Sequence, residues 1–182
     1  GKDHALPQDY ADMLGWKELA RKVDSVYLTL PNKNKTLIVC DNYGQAGAIN
    51  YYTKQNLKAV SFNADYVNWF DLSVKYQNLI RVKDYNDNIE ELEQTSPYFQ
   101  KSMLAGAVTN QYSREFGTPI FVFIGAKIDI NKRIIEEIET PIKNLLILVI
   151  CSIKLSIRVS MLFLAALIIV LSLLILIIYM PL

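Results

Sequence analysis

The fold of this chain is decided by the stretch Thr36-Leu37-Ile38-Val39-Cys40-Asp41-Asn42-Tyr43-Gly44-Gln45-Ala46-Gly47-Ala48. Its first five residues form a continuous apolar run rich in branched side chains, which is typical of a strand buried on both faces. Asp41 to Gly44 turn the chain, and the small residues that follow begin a predicted helix over 45–54. A second apolar run, Leu57 to Phe62, predicts a neighbouring strand. This order of elements indicates a βαβ unit with parallel strands and a right-handed crossover.

The rest of the domain extends this unit. Apolar residues at helical spacing predict a helix over residues 8–30 before it. The elements predicted after it are, in chain order, a strand at 78–82, a helix at 87–92, strands at 102–109 and 118–125, and a helix at 130–138. The turn at Gly117 and Pro119 is too short for a crossover helix, so the last two strands are expected to form an antiparallel hairpin. We therefore expect an α/β fold with a mostly parallel sheet, flanking helices and an antiparallel hairpin at one edge.

The C-terminal tail differs in character from everything before it. The last 24 residues, Val159 to Leu182, contain no charged side chain. At about 1.5 Å per residue, a helix of this length spans the ~30 Å hydrocarbon core of a bilayer. The sequence therefore predicts an α/β extramembrane domain over 1–139, a basic and apolar juxtamembrane segment over 140–158, and a transmembrane helix over 159–182. A buried core helix, and a tail that is foreign to the fold through a frameshift or fusion, are the alternatives.

Charge and composition exclude several classes of function. Up to Glu139 the chain has 16 basic and 18 acidic residues, a net charge of −2, whereas a nucleic-acid interface needs a clustered basic face. The chain has one histidine, His4, and two cysteines, Cys40 and Cys151. These do not suffice for a histidine-based metal site, a Ser-His-Asp triad or a disulfide framework. We expect no nucleic-acid partner, no metal and no cofactor, and Cys40 packed as a small buried hydrophobe.

Two loops follow the carboxyl ends of the first two predicted strands, where ligands bind in open α/β sheets. The candidate ligand-binding residues in and near these loops are Asn42, Tyr43, Gly44, Gly47, Asp65, Tyr66 and Trp69. Unpaired N–H groups at the start of the helix would bind an anion by donating hydrogen bonds to it. Aromatic faces with polar neighbours suit a sugar ring or a lipid headgroup. The spacing is not G-x-G-x-x-G and there is no P-loop lysine, so a nucleotide-binding α/β domain is a further alternative rather than the main interpretation. Small residues that serve only helix–sheet packing are the other interpretation.

A second candidate lies in the N-terminal helix. Asp12 and Glu18 flank Trp16 and would hold a sugar hydroxyl while the indole stacks on the ring. The alternative is a solvated helix face with a core tryptophan. No pair of carboxylates stands out as a general acid and base, so no catalytic residue is predicted.

Three stretches carry a resemblance to a known family. They are Leu6-Pro7-Gln8-Asp9-Tyr10-Ala11-Asp12-Met13-Leu14-Gly15-Trp16, Asp41-Asn42-Tyr43-Gly44-Gln45-Ala46-Gly47-Ala48-Ile49-Asn50-Tyr51-Tyr52 and Phe116-Gly117-Thr118-Pro119-Ile120-Phe121-Val122. Together they resemble the C-terminal soluble domain of bacterial membrane glycosyltransferases of the dolichyl-phosphate-mannose–protein mannosyltransferase type (glycosyltransferase family 39-like). The resemblance covers about Leu6 to Ala126, and its most specific part is Asn42-Tyr43-Gly44-x-Ala46-Gly47-Ala48.

The resemblance implies a polytopic enzyme that transfers a sugar from a polyprenyl-phosphate donor to a lipid or protein acceptor. Members hold their catalytic acidic residue in the polytopic half, which has no counterpart in these 182 residues, so the chain is expected to be a non-catalytic soluble domain. The implied partners are the lipid bilayer, the polytopic half of the same enzyme, and a polyprenyl-phosphate sugar or glycan acceptor. The implied location is the outer, periplasmic face of the bacterial inner membrane. The alternative is a single-pass, membrane-anchored ligand-binding or sensor module without catalytic activity.

Overall fold

The βαβ unit forms as predicted, with small shifts of its boundaries. The computed structural model describes residues 7–84, 88–140, 150 and 153. Strand β1, Thr36–Cys40, leads through helix α3, Tyr43–Tyr52, into strand β2, Ala59–Ser61, which pairs in parallel with β1. The helix begins at Tyr43, two residues earlier than predicted, because the Asn42 side chain caps it by accepting the Gln45 N–H at 2.9 Å.

The sheet is mixed, which corrects the expectation that it is mostly parallel. It has five strands in the order β2-β1-β3-β5-β4, where β3 is Asn78–Val82, β4 is Phe99–Ala107 and β5 is Pro119–Ala126. Strand β1 pairs in parallel with both β2 and β3, whereas β5 pairs antiparallel with both β3 and β4. The predicted antiparallel hairpin therefore exists at the sheet edge. Its second strand is inserted between β3 and β4, so half of the strand pairings become antiparallel.

The predicted N-terminal helix over 8–30 is broken into two. Helix α1 spans Gln8–Met13 and helix α2 spans Trp16–Leu28. Between them Gly15 adopts a φ of +85°, a left-handed conformation that glycine reaches without steric cost. The apolar periodicity continues through the break, but only α2 contributes side chains to the main core, while Tyr10 and Met13 of α1 are exposed.

The main core lies between one face of the sheet and helices α2 and α3. It is formed by buried side chains from both layers: Leu19, Val23, Ile38, Cys40, Ala46, Ile49, Ile80, Val82, Ile120 and Val122. Cys40 is fully enclosed there, which confirms its predicted role as a small buried hydrophobe. Burial raises the pKa of the Cys40 thiol far above its ordinary range, so the thiol is inert as a nucleophile at neutral pH.

Two further helices follow. Helix α4 spans Asn88–Thr95, and helix α5 covers residues 130–140. The Asn131 amide in α5 donates to the carbonyl oxygens of Leu72 and Val74, at 2.9 Å each. The chain divides into two units, Gly1–Ile135 and Glu136–Leu182.

Within the described residues, no helix combines the length and the apolarity that crossing a bilayer requires. The predicted transmembrane span over 159–182 lies outside the described residues, as does most of the predicted juxtamembrane segment over 140–158.

Candidate functional site

Polar side chains gather at the carboxyl ends of β1 and β3. The chain leaves β1 toward β2 on one side and returns to β3 on the other, which makes the β1/β3 boundary the topological switch point where α/β sheets bind ligands. Asp84 follows β3, and its Oδ1 accepts the Asn42 Nδ2–H at 3.1 Å and the Gln45 Nε2–H at 2.9 Å. Asn42, Gln45, Asp84 and Glu115 are called the carboxyl-edge cluster below.

Gln45 is the centre of this cluster. Its side chain is fully buried, and its Nε2 also donates to Glu115 Oε2 at 3.2 Å. Because both of its partners are carboxylates, the amide must point its nitrogen toward them. The Gln45 Oε1 is then buried with no hydrogen-bond partner among the described residues. A buried acceptor without a partner costs roughly 1–3 kcal/mol, so this oxygen is a place where a donor from a ligand or a water molecule would be stabilised.

The carboxyl edge also joins segments that are distant in the sequence. The Arg114 N–H donates to the Ala11 carbonyl at 3.2 Å, and the Ser113 hydroxyl donates to the Leu14 carbonyl at 2.8 Å. The Trp16 ring lies 3.6 Å from the position that a Cβ on Gly44 would occupy. The loop between β4 and β5, the α1–α2 junction and the start of α3 therefore form one packed junction.

An ion-pair network borders this junction. Asp41, the first residue after β1, pairs with Arg81 at 3.0 Å and with Lys83 at 3.3 Å. Both cations also approach Glu91 of helix α4, at 3.7 and 3.6 Å. The Asp41 carboxylate in addition accepts the Asp84 N–H at 2.9 Å. This network connects α4 to the carboxyl end of the sheet, and it engages both Arg81 and Lys83.

The electrostatics at the start of α3 favour hydrogen-bond donors over anions. Three carboxylates, Asp41, Asp84 and Glu115, lie around this helix end, while Arg81 and Lys83 are engaged with Asp41 and Glu91. A phosphate would meet these carboxylates, which offsets the attraction of the helix dipole. A sugar hydroxyl or an ammonium group, by contrast, would find acceptors. The arrangement does not favour the expected anion at the helix start.

The small residues of α3 allow close packing. A Cβ on Gly44 would lie 3.2 Å from Asn42 Oδ1, and a Cβ on Gly47 would lie 3.1 Å from the Tyr66 hydroxyl. Both distances are tighter than ordinary van der Waals contact, so Tyr66 approaches the helix where Gly47 leaves room, whereas Trp16, at 3.6 Å from a Cβ on Gly44, would make an ordinary contact. This geometry supports the packing interpretation of the small residues.

The seven predicted ligand-binding residues are divided into two groups. Asn42, Tyr43 and Gly44 stand at the start of α3, where Asn42 belongs to the carboxyl-edge cluster and the Tyr43 ring is 58% exposed. Gly47, Asp65, Tyr66 and Trp69 form a second group around the 3₁₀ turn Ala64–Trp69. In this group the Tyr66 and Trp69 rings stack with centroids 4.3 Å apart, and Asp65 is exposed on the surface. Trp69 lines a cavity at the amino ends of β1 and β2.

The structure adds Gln45, Asp84 and Glu115 to the residues predicted from sequence. Asp84 could have been found, because it follows the third predicted strand as Asp41 follows the first. Glu115 could not, because 70 residues separate it from Gln45 and only the sheet order brings the two together.

The proposed sugar contacts Glu18 and Trp16 are used within the protein. Glu18 Oε1 accepts the N–H and the hydroxyl of Thr109 at 2.8 and 2.7 Å and pairs with Lys22 at 2.9 Å. Burial alone would raise the pKa of Glu18, but these contacts lower it to about 2. The Trp16 indole donates to the Asp12 carbonyl. The arrangement supports the structural interpretation of Glu18 and Trp16.

Within the described part of the chain, no three His, Cys, Asp or Glu side chains are placed to hold a metal ion together. Comparison of the chain with protein-family profiles, with curated proteins and with solved structures gave no match. The sequence resemblance and the geometry of the carboxyl edge are therefore the basis for assigning a function.

Proposed function

We propose that the α/β unit is the non-catalytic extramembrane domain of a membrane glycosyltransferase that transfers a sugar from a polyprenyl-phosphate donor to a lipid or protein acceptor. The observation that supports this most is the meeting of the three resembling stretches at one junction. Trp16 of the first stretch packs at Gly44 of the second. Gln45 of the second and Thr118 of the third both donate to Glu115 Oε2, at 3.2 and 3.1 Å.

This convergence matters because chance matches along a chain have no reason to lie together in space. The first and third stretches are also connected, since the loop that enters the third binds the Ala11 and Leu14 carbonyls of the first. The residues that carry the resemblance thus form one structural unit. If the chain is a domain of that family, these residues are expected to resemble the family because they hold this unit together.

The way the carboxylates are used supports the proposed non-catalytic role. Asp41 is held by Arg81 and Lys83, while Asp84 and Glu115 accept hydrogen bonds from buried or capping amides. A general acid and base would need carboxyl groups that face a substrate with separated pKa values. We accordingly assign catalysis of the sugar transfer to a polytopic half of the same enzyme. The α/β domain is assigned to the outer face of the bacterial inner membrane.

The coding sequence upstream of Gly1 tests the proposal. The proposal expects the reading frame to continue upstream and to encode many apolar spans. A start codon at or shortly before Gly1, with at most a signal peptide, would contradict it. That result would support the alternative, a single-pass anchored ligand-binding or sensor module.

An activity assay tests the non-catalytic role separately. The purified 182-residue chain in detergent is incubated with a radiolabelled polyprenyl-phosphate sugar and with lipid and peptide acceptors. We expect no product above a protein-free control, while membranes with an active transferase serve as the positive control. Turnover by the chain alone would contradict the non-catalytic assignment.

A further inference from the structure

A cavity of about 150 Å³ lies at the amino ends of β1 and β2, at the opposite edge of the sheet from the carboxyl-edge cluster. It is called the amino-edge cavity below. Its floor is apolar and buried, with Leu37 and Leu57 among its residues, and the aromatic rings of Tyr27, Trp69 and Tyr76 stand in its walls. The segment that leads from β2 to β3 supplies two of these three rings, because it crosses back along the sheet from the carboxyl to the amino edge.

The Trp69 indole is exposed to solvent and packs against a second aromatic ring. It is 57% exposed, yet the Tyr66 ring packs against it with centroids 4.3 Å apart and an interplanar angle of 34°. Tyr66 is itself packed against the core, with its hydroxyl close to Gly47 of helix α3. An exposed aromatic face that is held from behind suits stacking against the apolar C–H face of a sugar ring.

Charged groups stand at the rim of this cavity. Lys33, Lys58 and Asp71 all line it, which gives the rim a net charge of +1. The Asp71 carboxylate accepts the Ser73 N–H at 3.0 Å and the Ser73 hydroxyl at 2.5 Å. These two hydrogen bonds lower the pKa of Asp71, so Asp71 is ionised at neutral pH and accepts hydrogen bonds. The rim therefore offers two cations for an anion and one acceptor for a hydroxyl.

We propose that the amino-edge cavity binds a single pyranose ring that carries one anionic group, with the ring on Trp69 and the anionic group beside Lys33 and Lys58. The volume of 150 Å³ is below the range of about 300–1,000 Å³ that drug-sized ligands occupy, so the cavity admits one ring rather than an oligosaccharide or a dinucleotide. The charge is a carboxylate or a phosphate on the sugar. This inference goes beyond the proposed function and does not depend on it.

Calorimetric titration of the 182-residue chain in detergent tests the proposal with four probes: glucuronate, glucose 1-phosphate, glucose and inorganic phosphate. The two charged sugars are expected to bind saturably and at least fivefold more tightly than glucose or phosphate alone, because only they use both the ring and the charge. The comparison of glucuronate with glucose 1-phosphate distinguishes a carboxylate from a phosphate as the preferred anion.

Two sets of variants locate the site. The double change Lys33→Gln and Lys58→Gln should reduce the affinity for the charged sugars to that for glucose. Lys101→Gln, on exposed β4 at the far side of the sheet, should leave it unchanged. Trp69→Ala should remove binding of every sugar, and Trp69→Phe, which preserves an aromatic face, should restore part of it.

The proposal is overturned if glucose binds as tightly as glucuronate, if no probe gives saturable binding, or if Lys101→Gln weakens binding as much as the double lysine change. Binding that survives Trp69→Ala would equally overturn it. None of these results bears on the upstream reading frame, so failure here is distinguishable from failure of the proposed function.

Discussion

The two edges of the same sheet use polar side chains in opposite ways. At the carboxyl edge, the Gln45 amide donates to both Asp84 and Glu115 and so connects three segments that are distant in the sequence. At the amino edge, Lys33 and Lys58 line an opening beside an exposed indole. The comparison shows that the polar side chains at the switch point of an α/β sheet can be used for hydrogen bonds within the protein. A ligand can then bind only where polar side chains face a cavity instead of one another.

The largest effect is expected at the junction of the carboxyl edge, from Gly15→Ala. Gly15 has a φ of +85°, and an added Cβ would lie 2.9 Å from the Ser113 Cβ and closer still to its hydroxyl oxygen. Strain and overlap together should lower the free energy of unfolding by about 3 kcal/mol, measured by urea denaturation of the full chain in detergent. Gly106→Ala is the matched control, because a Cβ there meets no atom within 4 Å. A loss below 1 kcal/mol for Gly15→Ala would show that the junction is loosely packed.

A smaller loss is expected from Gln45→Leu. The substitution keeps the volume but removes one hydrogen bond to the Asp84 carboxylate and one to the Glu115 carboxylate, which keep only Asn42 and Thr118 as donors to those oxygens. We expect a loss of about 2 kcal/mol in the free energy of unfolding. The exposed Gln94→Leu on helix α4 serves as the control and should change it by less than about 0.5 kcal/mol. Equal effects of the two substitutions would contradict the central role of Gln45.

The contribution of Glu18 should depend on pH. The pKa of Glu18 is about 2 in the folded chain against an ordinary 4.5, so the unfolded state holds the proton more tightly. Its stabilisation is complete above about pH 4.5 and is lost as the pH falls toward 2. Glu18→Gln should therefore cost about 1 kcal/mol at pH 7 and less at pH 2.5, measured by denaturation at both values. Glu93→Gln, on an exposed face, is the control, and a cost for Glu18→Gln that is the same at both pH values would refute the explanation.

The smallest effect on stability is expected at the amino edge. Trp69 is more than half exposed, so Trp69→Ala should lower the free energy of unfolding by less than about 1 kcal/mol, even though it is expected to remove sugar binding. Thermal denaturation of the variant beside the parent chain measures this. A loss above 2 kcal/mol would mean that Trp69 serves the core rather than a ligand.

Local sequence patterns predicted the elements well and their arrangement less well. The boundaries of β1 and β3 agree with the prediction, because each is an apolar run with a clear end. The break at Gly15 was missed, since the helical spacing of apolar residues continues across it. The insertion of β5 between β3 and β4 depends on pairing between distant strands, which local spacing does not encode.

For the candidate site, too, the sequence predicts individual residues better than their arrangement in space. Asn42 was predicted from its position after β1, and it is the helix cap that joins Asp84. The sequence pattern groups Trp69 with Asn42, because both residues follow parallel strands. The chain after β2 runs back along the sheet, however, and places the Trp69 indole in the wall of the amino-edge cavity. Such a separation follows from the path of a loop, which the sequence pattern alone does not determine.

The two tryptophans of the chain, Trp16 and Trp69, lie one at each edge and report on them separately. Their indole N–H resonances in a ¹⁵N-labelled 182-residue chain can be followed while glucuronate is added. We expect the Trp69 resonance to shift saturably while the Trp16 resonance, whose N–H is bonded to the Asp12 carbonyl, stays in place. A saturable shift of Trp16 with Trp69 unmoved would contradict the assignment of ligand binding to the amino edge.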